Sequence, residues 1–246
     1  METRKGLRVR NEASWRPTKF VEHRGRWRGS RDVVHLARGS RVTADRQAAA
    51  YSHVLAVHAS GDLLDLGCGT VPTYAMYRPH VSSITCLDWS LTPHPSPYLD
   101  VEADLREPLP FGDAQFDTVL LTDVLEHMPY PDSLVAEIAR VLRGGGNAVI
   151  AVPFMYGIHE APNDHHRYTE FRLRLFCEDH GLDILELFPY GGPAAVLLDE
   201  ASKFLSVVPL VRRAAGLPAL FVSRGARHWS PTPLPLGYVL VARKVG

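Results

Sequence analysis

Four apolar runs recur through the middle of the chain: LLDLG at 63–67, SITCLD at 83–88, FDTVLLTD at 116–123 and NAVIAVP at 147–153. Strands this continuously apolar have no polar face to offer water, so they belong in a parallel sheet covered on both sides by helices. The intervening segments supply those helices. Over 132–143, Leu134, Ile138, Val141 and Leu142 share one face, and Gly144, Gly145 and Gly146 follow as a stop. A second helix is predicted to begin at Thr43 as N-cap, with Ala48, Tyr51 and Leu55 at helical spacing before Ser60 and Gly61. Two late strands, LDILELF at 182–188 and GYVLVAR at 237–243, extend the sheet.

With 246 residues, 46% of them apolar, the chain can bury the core of one α/β domain or at most two small ones. Net charge is zero, but 13 of the 27 Lys and Arg residues fall in the first 46 positions against five acids. Residues 1–42 are therefore expected to form a basic, irregular arm, and 43–246 the domain proper. Such an arm can meet the acidic body of its own protein or an anionic membrane surface; nothing marks a nucleic-acid binder. No apolar leader or spanning run is visible, which points to a cytoplasmic protein. Cys68, Cys86 and Cys177 are odd in number and lack metal-type spacing, so they are expected to be reduced and packed. A Pro-rich insertion at 189–235 contains its own apolar helix. Its Phe204, Leu205, Val207, Val208, Leu210, Leu217 and Leu220 suit core packing first, and otherwise a lid, a homodimer surface or a seat for a lipid-linked acceptor.

LLDLGCGTVP at 63–72 reads as a strand, a tight Gly-x-Gly turn and a helix opening at Pro72. Asp88 stands 19 residues after Gly69 at the end of the next strand, where a carboxylate can accept two hydrogen bonds from a ribose diol. A dinucleotide site wants a third glycine where Pro72 stands. Asp65, just before the turn, would repel a pyrophosphate and welcome an ammonium group. S-adenosylmethionine fits these features better than a nicotinamide dinucleotide.

These residues resemble the class I S-adenosylmethionine-dependent methyltransferases, in particular the methyltransferase type 11 group. The resemblance covers about 43–188 and the final strand. It rests on DLGCG, on Asp88 followed by Trp89, on EADL at 102–105, on LPFGDAQFDTV, on DVLEHMPYP and on RVLRGGGNAVIAVP, in that order. It implies a Rossmann-like fold: a doubly wound, mostly parallel seven-stranded sheet with helices on both faces and the last strand antiparallel. It also implies that Gly67, Cys68 and Gly69 approach the cofactor through backbone and that Asp88 binds the ribose. Trp89 and Leu105 would flank the adenine, Asp104 would bond its amino group, and Thr122 would lie near the methionine moiety.

The stretch HEAPNDHHRYT at 159–169 follows the strand ending at Pro153, on the rim where a methyl acceptor would enter. A hydroxyl acceptor needs its proton removed as it attacks, and a histidine held by a carboxylate does this near neutral pH. Asp164 and His165 are the first candidates, with His159 and His166 as neighbours; Thr169 is expected to N-cap the next helix. Glu126 and His127 also sit at the mouth, where packing is the simpler role. A divalent metal held by His159, His165 and Asp164 is the less favoured alternative, because their loop spacing defines no coordination geometry. The loop further resembles methyltransferases of polysaccharide and glycolipid pathways, which implies O-methylation of a sugar hydroxyl on a glycan acceptor. The alternatives are a small-molecule N-, C- or O-methyltransferase and a cofactor-binding protein without chemistry.

Overall fold

The computed structural model describes residues 10–89, 96–209, 212–222 and 232–246. Leu210, part of the basic arm and residues 223–231 of the insertion lie outside them. The elements are β1 (Phe20–His23), β2 (Arg26–Gly29), α1 (Arg41–His58), β3 (Gly61–Leu66), α2 (Tyr74–Tyr77), β4 (Val81–Asp88), β5 (Val101–Glu102) and β6 (Phe116–Thr122). They continue with α3 (Pro131–Val141), β7 (Leu142–Pro153), α4 (Glu170–Asp179), β8 (Leu182–Tyr190), α5 (Pro193–Val207), α6 (Pro218–Val222) and β9 (Gly237–Lys244).

Seven strands form one sheet in the order β5-β4-β3-β6-β7-β9-β8. The first five pair in parallel, and β9 runs antiparallel between β7 and β8. The fold is thus the doubly wound, Rossmann-like one with its last strand reversed. Alternation within each strand explains why both faces are covered. Leu63 of β3 and Val149 and Ala151 of β7 pack with α1 on one face, while Leu64, Leu66, Ala148, Ile150 and Val152 pack with α3 and α4 on the other. The chain winds outward from β3 through β4 and β5, then returns to add β6 and β7 on the opposite side. That reversal opens a crevice at the carboxyl ends of β3 and β6.

The arm is more ordered than its sequence suggests. β1 and β2 form an antiparallel hairpin closed by Arg24 (φ 52) and Gly25 (φ 70), the left-handed pair that a two-residue hairpin turn requires. Phe20 is buried, its ring edge-on to Tyr51 of α1 at 5.8 Å, and Arg31 makes a two-pronged ion pair with Asp45 at 2.8 and 2.7 Å. Four-residue strands carrying charges give no readable apolar period.

Two helix starts also differ from expectation. α1 begins at Arg41, and Thr43 lies inside it, its amide and hydroxyl donating to the buried Asp199 carboxylate of α5 at 3.2 and 2.7 Å. Pro72 lies in a turn, with helix only from Tyr74. The glycine run 144–146 belongs to an irregular stretch of β7, between the Leu142–Phe116 and Asn147–Thr118 pairs. At the next element Thr169 does cap α4, its hydroxyl accepting the Arg172 amide at 3.4 Å. Within the insertion, α5 buries Ala195, Val196, Asp199 and Ser202 and leaves Leu197, Phe204 and Val207 exposed. Among the described residues no helix is long and apolar enough to cross a membrane. All three cysteines are buried and unpaired.

Candidate active site

The crevice at the switch point is a cavity of about 380 Å³, within the range of cofactor sites. Gly67, Gly69, Asp88, Trp89, Asp104 and Leu105 line it, together with Arg106, Asp123, Val124 and His127. Gly67 has φ +65, and a Cβ there would come within 2.5 Å of Val124 Cγ2, so this turn needs glycine for both its backbone angle and its close approach to the next loop. The Asp88 carboxylate accepts the Gly69 amide and the Trp89 amide, each at 2.8 Å. These bonds hold the acid at the crevice wall. Arg106 lies 5.2 Å from the Trp89 ring centroid and pairs with Asp104 at 2.6 Å, which lowers the Asp104 carboxyl below its ordinary value.

Three predicted cofactor residues stand behind this wall. Asp65 is buried, accepts the Tyr77 hydroxyl at 3.0 Å, and is pushed up to about 7 by burial. Cys68 is buried against the turn, where Cys86 lowers its thiol but burial and nearby acids outweigh that and raise it, and Thr122 is absent from the cavity lining. In place of Thr122 stands Asp123, a non-glycine residue at φ 56 that closes β6. Its carboxylate accepts Gln47 Nε2 at 2.9 Å, the Tyr51 hydroxyl at 3.0 Å and Lys19 Nζ at 3.1 Å. An acid directly after a central strand was the available signal for it. Lys19, Gln47 and Tyr51 carried none, because tertiary packing alone brings them there.

A second cavity of about 180 Å³ adjoins the first, sharing Asp123 and Glu160 in its wall. Lys19, Gln47, Glu126, Tyr156 and His159 are among its other lining residues. The 159–169 loop is clamped across the turn after β6. His165 and His166 amides donate to the Glu126 carbonyl at 2.9 and 3.1 Å, the Tyr168 hydroxyl donates to the Leu125 carbonyl at 2.9 Å, and His127 Nδ1 meets the Asn163 carbonyl at 3.0 Å.

This clamp rearranges the expected pairs. Asp164 does not hold His165. Its carboxylate takes the Arg167 guanidinium at 2.5 and 2.8 Å and the His159 amide at 2.9 Å, and faces His159 Nδ1 at 3.3 Å; Arg167 chiefly holds it well below the usual carboxylate range. His165 lines the larger cavity. His166 lines neither cavity and lies 5.4 Å from the Tyr168 ring. Glu126 is fully buried and, among the described residues, neither carboxylate oxygen makes a hydrogen bond. Burial raises its carboxyl, while the nearby His159, 3.6 Å away, opposes that rise and is itself raised by Glu126.

Residues 64–150 match the family model described as a methyltransferase domain. No curated protein matches the chain by sequence. Among solved structures, the [4+2]-cyclase SpnF is 22% identical with a TM-score of 0.53, the match covering 81% of this chain and 82% of that one. A geranyl diphosphate methyltransferase in complex with S-adenosylmethionine is 15% identical (TM-score 0.52; 84% and 90% covered). A methyltransferase in complex with its activator, from Haloferax volcanii, is 19% identical (TM-score 0.55; 84% and 95% covered). At these identities the likeness is one of fold. The methyltransferase domain at 64–150, with the glycine turn facing Asp88, marks the chain as an S-adenosylmethionine-dependent methyltransferase.

Proposed function

We propose that the enzyme methylates an oxygen of a hydroxyl-rich acceptor, most simply a sugar hydroxyl of an oligosaccharide, polysaccharide or glycolipid precursor. The observation that carries this reading is the second cavity, in which nine of ten lining residues have polar side chains, Pro153 being the exception. Such walls hydrogen-bond a polyol and leave an apolar acceptor with unpaired groups around it.

S-adenosylmethionine, bound in the larger cavity, supplies a methyl group made electrophilic by its sulfonium. Gly67 and Gly69 give backbone access, Asp88 takes the ribose diol, and Trp89 and Leu105 offer apolar surface to the adenine. Asp104 reaches the adenine amino group only by sharing its bond to Arg106. Lys19, Gln47 and Tyr51 fix Asp123 between the cavities, so the acceptor is oriented by a rigid acid; alignment of nucleophile and methyl carbon is the main protein contribution to such a displacement. His165, on the wall of the larger cavity, receives the hydroxyl proton. His159, held by Asp164, borders the acceptor and positions it.

The test is incubation with labelled S-adenosylmethionine and a panel of sugars, glycolipid headgroups, amines and phenols. Label recovered as an alkali-stable methyl ether of a sugar is the expected result. Transfer only to nitrogen, carbon or a phenol would replace the acceptor class, and cofactor binding without transfer to any acceptor would remove the reading.

A further inference from the structure

Glu126 is a buried acid at the junction of the cavities whose nearest cationic partners are two imidazoles. A fully buried carboxylate without a hydrogen bond is costly unless a nearby positive charge offsets it. Two imidazole nitrogens face the same oxygen: His159 Nε2 at 3.6 Å and His127 Nε2 at 3.8 Å from Glu126 Oε1. The ligand atoms of all three residues lie within 4.8 Å of one another.

The other ring nitrogens are held from behind. His127 Nδ1 meets the Asn163 carbonyl at 3.0 Å, and His159 Nδ1 faces the Asp164 carboxylate at 3.3 Å. Acceptors behind both rings place the proton on Nδ1 and leave the Nε2 lone pairs directed inward, an arrangement typical of metal-bound histidines. Two ligand atoms about 2.1 Å from a tetrahedral ion stand roughly 3.4 Å apart, so the carboxylate–imidazole pairs at 3.6 and 3.8 Å are near that spacing, and the cluster, whose atoms lie within 4.8 Å of one another, closes on an ion by drawing the two imidazoles together.

We propose that Glu126, His127 and His159 form a divalent-cation site of the zinc type, with its open positions facing the acceptor. Two imidazoles and one carboxylate suit a borderline cation such as zinc, whereas magnesium and calcium prefer all-oxygen shells. Glu160 Oε2, 3.9 Å from His127 Nε2 and on the wall of both cavities, borders the open side. A cation here neutralises Glu126 and, on the hydroxyl-acceptor reading above, binds and acidifies the acceptor oxygen. The trio expected from sequence differs: His165 points to the larger cavity and Asp164 stands behind His159, where it orients the ring.

The experiment uses the full chain, stripped by chelator and dialysed, then titrated with zinc by calorimetry without cofactor or acceptor. One zinc per chain is expected, with a zinc-dependent rise in Tm. His127→Ala, His159→Ala and Glu126→Gln should each weaken binding at least tenfold. Asp164→Asn, which keeps all three ligands, should weaken it about 10- to 100-fold by releasing the His159 ring. If Glu126→Gln fails to fold, the two partly exposed histidines carry the test. The site is overturned if the parent chain binds no zinc, if it prefers magnesium or calcium, or if the double histidine variant keeps one zinc with unchanged affinity. Because no methyl transfer is measured, failure here is separate from failure of the acceptor assignment.

Discussion

The Gly69 amide donates to the Asp88 carboxylate at 2.8 Å, tying the turn after β3 to the end of β4. One acid therefore shapes the glycine turn and, on the cofactor reading proposed above, takes the ribose. Replacing Asp88 with Ala should weaken binding of S-adenosylhomocysteine by roughly 1–3 kcal/mol through lost hydrogen bonds. Calorimetry reads this directly, and an unchanged affinity would remove Asp88 from the cofactor site.

Gly67→Ala combines two penalties, a left-handed backbone at φ +65 and a Cβ 2.5 Å from Val124. Stability should fall by about 1–3 kcal/mol, and cofactor affinity with it, because Val124 lines the same cavity. Urea unfolding followed by ligand titration checks both; a variant as stable as the parent would contradict the turn geometry.

Asp65 gives a pH dependence whose sign follows from burial. Its folded-state pKa, about 7, lies above the unfolded value of 3.8, so the unfolded chain ionises first as pH rises. Its contribution to stability is therefore lost progressively between about pH 4 and 7 and is constant above that, a span of roughly 4 kcal/mol. Asp65→Asn, which can still accept the Tyr77 hydroxyl, should be more stable relative to the parent at pH 8 than at pH 4. Parallel stability curves for the two proteins would refute this.

His165→Ala should lower turnover by about a hundredfold if the ring accepts the hydroxyl proton. His166→Ala, at a ring outside both cavities, should keep turnover within a few-fold. Equal losses from both would indicate damage to the loop and remove His165 as the base.

The Asp199 carboxylate is buried between α5 and α1, taking the Thr43 amide and hydroxyl and lying 2.7 Å from Lys203 Nζ. Asp199→Ala leaves those donors without their acceptor and should cost roughly 1–3 kcal/mol in urea unfolding. A loss under half of that would show α5 to be held by its apolar contacts alone.

The sheet was legible because its signal is local. Leu63 to Leu66, Phe116 to Thr122 and Ala148 to Val152 are apolar on both faces, which only a doubly covered sheet explains, and Gly67, Gly69 and Asp88 occupy fixed positions at strand ends. What was hidden depends on contacts distant in sequence. The Phe20 hairpin acquires its core residues only against Tyr51. Thr43 looked like a cap because the Asp199 that engages it lies 156 residues away. Likewise the sequence neighbours Asp164 and His165 suggested a pair, but the clamp on the Glu126 carbonyl turns the acid toward His159.

Lys19, from the amino-terminal hairpin, reaches Asp123 at the boundary of the two cavities. The smaller cavity is thus finished by a segment remote in sequence from the glycines and acids that line the larger one. On the acceptor reading proposed above, changes near the start of the chain reach the recipient's room through Asp123, which borders the donor's room as well, and Thr18, 3.3 Å from Thr70 beside the glycine bend, couples that start to both.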